Sequence, residues 1–176
     1  MDTKVSFWLI PSEEDRAFFQ EIIDNLAKEY DAPVFMPHVT IYSGEYTPEE
    51  SPTELLENAI QGIQSFSLKI ENLLYTDEFS KTLFVQFSQN SRLSQIAENL
   101  RCHSKKSSEY ELNPHLSLIY QHLSEEIKKE LITKLSLPKS ELFFNEVRAI
   151  SAGNKEKGWE DVDRWEVICI RKLQYP

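Results

Sequence analysis

The chain has 176 residues, 40% hydrophobic and 27% charged, with 19 Lys and Arg against 29 Asp and Glu for a net charge of −10. Such a chain fits one folded unit spanning residues 1–176, and its composition excludes disordered, collagen-like and low-complexity classes. Residues 1–88 carry 5 basic and 16 acidic side chains, residues 89–176 carry 14 and 13; without a basic stripe, a long polynucleotide is not an expected partner.

A small ligand in a locally positive pocket is barely penalised by that field, so nucleotide-sized molecules are favoured over polymers. No apolar run approaches the ~20 residues that span a bilayer. Residues 1–8 lack the basic and apolar pattern of a secretory signal, so the cytoplasm is the expected setting, with no membrane partner. Cys102 and Cys169 are too few for a disulfide framework and have no metal-type spacing; free thiols are expected.

Val5–Ile10 reads as a strand ended by Pro11. Ser12 then caps a helix with Glu13, Glu14 and Asp15 in its first turn, where the dipole favours acids. Phe18, Phe19, Ile22, Ile23 and Leu26 follow its 3.6-residue period. His38–Tyr42 is a short alternating strand closed by Ser43-Gly44. Pro48 to Pro52 introduces a helix through about Ile63. Phe66–Leu74 and Leu83–Phe87 are strands joined by a polar loop around Asp77–Lys81. Leu93–Leu100 is helical, and His103–Glu111 is a polar, mobile loop. His115–Tyr120 is a strand, and Ser124 opens a helix through Leu135, stopped by Pro138. Leu142–Ile150 and Trp165–Ile170 finish as strands around a turn region at Gly153–Gly158. The pattern predicts an α+β fold with mainly antiparallel sheet. A parallel α/β sheet is its rival, weakened by the absence of a Gly-rich strand-to-helix loop.

One pattern occurs twice. Pro37-His38-Val39-Thr40-Ile41 and Pro114-His115-Leu116-Ser117-Leu118 both read Pro-His-apolar-hydroxyl-aliphatic, 77 residues apart. A given His carries such flanks by chance on the order of once per thousand at average composition. In a strand, alternate side chains share a face, so His38 points with Thr40 and His115 with Ser117 while the aliphatic residues anchor the other face. Two halves related by a pseudo-two-fold bring both imidazoles and both hydroxyls to one cleft. The imidazoles supply a base and an acid near neutral pH, and the hydroxyls can donate to phosphate oxygens. That set suffices to open a phosphodiester by in-line attack. No metal or other cofactor is expected, since two histidines without a carboxylate or thiol cluster make a weak zinc case.

These paired motifs resemble the signature of the two-histidine (2H) phosphoesterase superfamily. Phe7-Trp8-Leu9-Ile10-Pro11, Pro114 to Tyr120 and the short length are similar to its cyclic phosphodiesterase branch, as, more loosely, is Gly158-Trp159 followed by Val162. The resemblance implies a bilobal fold with two antiparallel sheets lining a central cleft and helices outside. It implies His38 and His115 as the catalytic pair, Thr40 and Ser117 as phosphate ligands, and Tyr120 as an assisting residue. Strand parity alone puts Tyr120 on the face opposite His115, so that role needs a bend or strand end. It further implies that His115 activates water and His38 protonates the leaving oxygen, an assignment the near-symmetric motif cannot make by itself.

Other residues carry two readings. Trp8 is either a core aromatic or a platform for a base or sugar. Tyr42 shares parity with His38 and Thr40 and is a candidate cleft residue. Lys105 and Lys106 either meet a second phosphate or form a solvated turn. His103 and His122 lack the flanking pattern and read as surface residues. The function expected is cyclic phosphodiester hydrolysis on nucleoside 2′,3′-cyclic phosphates or ADP-ribose 1″,2″-cyclic phosphate, by a monomer. RNA end-processing or 2′–5′ ligase-type work is the alternative enzyme reading. A non-catalytic nucleotide-binding module is the third, and it predicts a degraded motif where this one is intact.

Overall fold

The structure, a computed structural model, describes residues 1–152 and 161–175. Among these the elements run β1 (Thr3–Pro11), α1 (Glu13–Tyr30), β2 (Val39–Tyr46), α2 (Pro52–Ala59), β3 (Phe66–Tyr75), β4 (Leu83–Phe87), α3 (Ser91–His103), β5 (His115–Ile119), α4 (Glu125–Lys134), β6 (Glu141–Ser151) and β7 (Glu166–Lys172). The fold is α+β, and its strand ladders are antiparallel. The turn expected at Gly153–Gly158, with Trp159, lies outside the described residues.

Strand order is β2-β1-β6-β3-β4-β5, with β7 added to β6. β3 serves two partners: Phe66–Lys69 pair with β6, and the rest of the strand pairs with β4. The two expected sheets are therefore joined by a strand that passes from one to the other. Exchanging β1-α1-β2-α2-β3 with β4-α3-β5-α4-β6 converts this order into its own reverse. That is the pseudo-two-fold, broken only by β7, and it makes the two motif-bearing strands the outermost pair of the path. Helices cross between the halves: α1 packs against β5, and α3 against β2. Each motif strand is thus backed by a helix from the other half, which fixes one histidine relative to the other.

Local chemistry explains most boundaries. Asn90 caps α3 by accepting from the Arg92 and Leu93 amides, and Ser51 and Ser124 cap α2 and α4. Ser12 occupies the cap position of α1, but its side chain caps nothing; its amide instead donates to the Phe143 carbonyl. Helix α2 stops at Ala59, short of the expected Ile63, because the chain turns back through Gly62 at φ +78°. Strand β2 runs past Ser43-Gly44 to Tyr46, since Gly44 stays in the ladder opposite Val5. Phe19, Ile23 and Leu26 of α1 are buried, while Phe18 stays exposed at the edge of that apolar stripe. The main core gathers Phe7, Leu9, Val39, Ile41, Leu116, Leu118 and Phe144 behind the two motif strands.

Candidate active site

His38 stands immediately before β2 and His115 opens β5. Each donates its Nδ1–H to the backbone carbonyl two residues upstream, Met36 or Asn113, at 2.7 Å. A carbonyl only accepts, so Nδ1 carries the proton in both rings and Nε2 is left with its lone pair. Among the described residues neither Nε2 has a hydrogen-bond partner. Proline between carbonyl and histidine fixes the backbone bend that aims the oxygen at the ring, which gives the repeated Pro-His pair a physical purpose.

Both motif strands then skip one residue. In β2, Thr40 faces Trp8 and Tyr42 faces Phe7, leaving Ile41 unpaired; in β5, Ser117 faces Phe84 and Ile119 faces Leu83, leaving Leu118 unpaired. Residues opposite one another in a ladder share a face, so each extra residue reverses parity downstream. The first reversal sends Tyr42 to the Phe7 face. There it is buried beside Tyr110, with the Arg101 guanidinium 5.3 Å over its ring, and it does not line the cleft. Ser43 takes the cleft position instead. The second reversal brings Tyr120 back to the His115 face, which supplies the bend its expected role required. Ser43 and Tyr120 are symmetry counterparts, each five residues after its histidine.

The cleft between these strands measures about 440 Å³, a volume suited to a nucleotide-sized ligand. His38, Thr40, His115, Ser117, Tyr120 and Trp8 all contribute to its wall. Trp8 is buried, and His38 stacks on its indole at 3.7 Å between ring centroids and 14° between planes. The indole N–H donates to Ser6 Oγ, which also accepts from Ser43 Oγ. Trp8 is therefore both core aromatic and cleft wall, and the ring stacked on it is an imidazole. Tyr120 is buried against Phe35, and burial pushes its hydroxyl well above the ordinary tyrosine range. Thr40 and Ser117 differ. The Ser117 hydroxyl donates to the Ser80 carbonyl at 2.7 Å, whereas Thr40 Oγ1 makes no hydrogen bond among the described residues.

Burial drives the His38 imidazole down to about 4, against the pull of the Met36 carbonyl, and a charge on His115 depresses it further. His115 is also lowered, first by burial; the Asn113 carbonyl resists, the Lys81 ammonium adds to the depression and Glu78 opposes it. Both rings are held below the ordinary histidine value and are therefore neutral at pH 7. Among the described residues no three His, Cys, Asp or Glu side chains cluster as a metal site. Cys102 is exposed and Cys169 buried, both as free thiols.

Of the two readings of Lys105 and Lys106, the surface turn holds and the second-phosphate role does not. Lys105 faces Glu49 and gives its amide to Glu50, and Lys106 pairs with Asp2; neither lines the cleft. Their segment is also stitched down: Ser108 Oγ donates to the Ser43 carbonyl, Tyr110 Oη to the Thr40 carbonyl, and Arg101 holds the Ser108 and Tyr110 carbonyls. The cleft cation is Lys81, from the loop between β3 and β4, accompanied by Glu78 and Ser80. Sequence reading missed these three because nothing local marks a loop that folds back onto a strand more than thirty residues further on. Tyr110, an aromatic in a polar stretch, was the one visible signal in its segment.

Paired imidazoles presented by symmetry-related strands to a common cleft mark a two-histidine phosphoesterase. The family described as cyclic phosphodiesterase-like protein matches residues 1–173, and the chain belongs to it, an enzyme of the phosphodiester-hydrolysing type. The cyclic phosphodiesterase of Arabidopsis thaliana is 24% identical over 173 residues, covering 96% of this chain and 94% of that protein. The crystal structure of E. coli LigT complexed with 3′-AMP is similar at a TM-score of 0.62 and 18% identity, covering 99% of both chains. Kluyveromyces marxianus Usb1 is similar at a TM-score of 0.56 and 12% identity over 98% of this chain. The structural likenesses extend to the fold. Among the described residues no helix is long and apolar enough to cross a membrane.

Proposed function

We propose that the protein hydrolyses small cyclic phosphodiesters, nucleoside 2′,3′-cyclic phosphates or ADP-ribose 1″,2″-cyclic phosphate, to monophosphates without a metal ion. Water attacks phosphorus in line with the departing ribose oxygen. His115 Nε2 takes the water proton as the new P–O bond forms, and His38 Nε2 gives a proton to the ribose oxygen as the old P–O bond breaks. Thr40 and Ser117 hydrogen-bond the phosphoryl oxygens as charge builds there, and the Tyr120 hydroxyl assists from beside Ser117. Trp8 holds His38 by stacking; Tyr42 has no part in the chemistry. Both histidines belong to one chain, so the site is complete in a monomer.

The observation that carries this reading is the identical tautomer of the two imidazoles, each offering a free Nε2 to one cleft. The assignment of roles has a cost. His38 holds a proton only near pH 4, so the anionic substrate must raise that imidazole on binding. The optimum of kcat/KM is accordingly expected on the acid side of ~6.5, the ordinary histidine value. The test is turnover of both substrate types with EDTA present, with products read by phosphorus NMR. The expected product of a nucleoside 2′,3′-cyclic phosphate is the 2′-phosphate alone. Activity lost to chelation and restored by zinc or magnesium overturns the metal-free mechanism, and failure to turn over either substrate overturns the reading.

A further inference from the structure

The cleft wall contains a cation that the two-histidine mechanism does not use. Among the described residues Lys81 is the only Lys or Arg lining it, in a chain whose net charge is −10. Its ammonium lies 4.7 Å over the Phe84 ring, and no carboxylate among the described residues comes within 4.0 Å of it. Lys105, Lys106, Lys128 and Lys139, by contrast, each have an acidic partner. Phe84 also meets the His115 ring edge-on, with centroids 5.5 Å apart. Lys81 and His115 thus share the Phe84 ring as a neighbour, and the ammonium stands close enough to act on the imidazole.

The backbone beneath Lys81 is held in place before any ligand arrives. The Ser80 carbonyl accepts from Ser117, the Lys81 carbonyl from Thr76 Oγ1, and buried Thr82 donates to the Gln121 carbonyl. Lys128, buried on α4, clamps the start of the loop by donating to the Thr76 carbonyl and to Asp77. Such a loop loses little freedom when a ligand docks. Glu78 and Glu111 are the acidic members of the wall, both exposed. Both oppose an anion at that rim, and the Lys81 ammonium is the lining group that offsets them.

Resting on the reading of the site as a cyclic phosphodiesterase, we propose that Lys81 forms a second-phosphate subsite. Lys81 is then the residue that discriminates between the two substrate types proposed above, favouring the one whose ribose carries a phosphate on its 5′ side. A lysine suits this task as a mobile point charge with an apolar stem that rests on Phe84.

The deciding experiment is calorimetric binding of adenosine 2′-phosphate and adenosine 2′,5′-bisphosphate, which needs no turnover. In the wild type the 5′-phosphate is expected to tighten binding about tenfold, as one charge-assisted contact does. Lys81→Met should reduce that ratio below about twofold, and Lys81→Arg should keep most of it. A ratio near one in the wild type, or an equal loss on both ligands in Lys81→Met, overturns the subsite. The same ratio, read as kcat/KM on the 2′,3′-cyclic phosphates with and without a 5′-phosphate, separates the two conclusions. If neither is hydrolysed the activity reading fails, while the binding ratio still judges Lys81.

Discussion

The two histidine strands are built to one plan and end as chemically different places. In both, a backbone carbonyl fixes the tautomer, an aliphatic residue is skipped after the hydroxyl, and an aromatic side chain on the neighbouring strand faces that hydroxyl. The aromatics make the difference. Trp8 lies flat on His38 and buries it, whereas Phe84 meets His115 edge-on at 76° and leaves room for Lys81 and Glu78 to act on it. At His38 burial leads and the only charge acting on the ring is that of His115, whereas at His115 burial also leads but Lys81 and Glu78 act in opposite directions. A duplicated backbone has thus yielded two imidazoles in unlike surroundings, and the flat cover falls on His38, the ring whose proton the substrate must restore before it acts as the acid.

The largest expected effect tests whether the two sides share one reaction. His38→Ala and His115→Ala should each lower kcat at least ~100-fold, with the double variant scarcely worse than either. Substrate with sulfur at the departing position then separates the roles, because a thiolate leaves without a proton. It should rescue His38→Ala and not His115→Ala. Rescue of the other variant reverses the assignment, and losses that simply multiply break the pairing altogether.

A second effect isolates the flat side. The folded His38 value of about 4 lies below the ordinary ~6.5, so above pH 6.5 the ring is neutral in both states and nothing is lost. As pH falls below 6.5 the unfolded chain takes the proton first, and stability drops until about pH 4. Between pH 7 and pH 5 the loss is about 2 kcal/mol from this one group. Urea unfolding should therefore show the wild type losing about 2 kcal/mol more than His38→Gln between pH 7 and pH 5. Equal acid sensitivity in both proteins would show that the folded His38 ring is not held below its ordinary value.

Much of this was legible in the sequence. The paired Pro-His-x-hydroxyl motif located four cleft residues, and alternation found the strands that carry them, because both are properties of consecutive residues. Tyr42 and Tyr120 show where such reasoning stops. Parity counted along the chain put each on the wrong face, since a skipped residue is visible only against the partner strand. Lys81 shows a second limit: its loop is placed by Ser117, Gln121 and Lys128, all distant in sequence. Lys105 and Lys106 were plausible phosphate ligands by charge alone and were claimed by Glu49, Glu50 and Asp2.

The smallest expected effect lies between the two hydroxyls. Thr40 and Ser117 occupy equivalent positions, yet only Ser117 already spends its proton, on the Ser80 carbonyl. An arriving phosphate offers Thr40 a new hydrogen bond to a charged acceptor. To Ser117 it offers an exchange of one acceptor for another, and exchanged hydrogen bonds contribute only their difference. Thr40→Ala should therefore lower kcat about tenfold, and Ser117→Ala about threefold, a gap of under ~1 kcal/mol in transition-state stabilisation. Both losses should fall on kcat more than on KM, because the phosphoryl oxygens gain charge only as the water attacks. Steady-state kinetics of the two variants on one cyclic phosphate measures this directly. Should Ser117→Ala prove the more damaging, the Ser80 contact is not a competitor for the hydroxyl but the device that aims it, and the two strands are less alike in function than in plan.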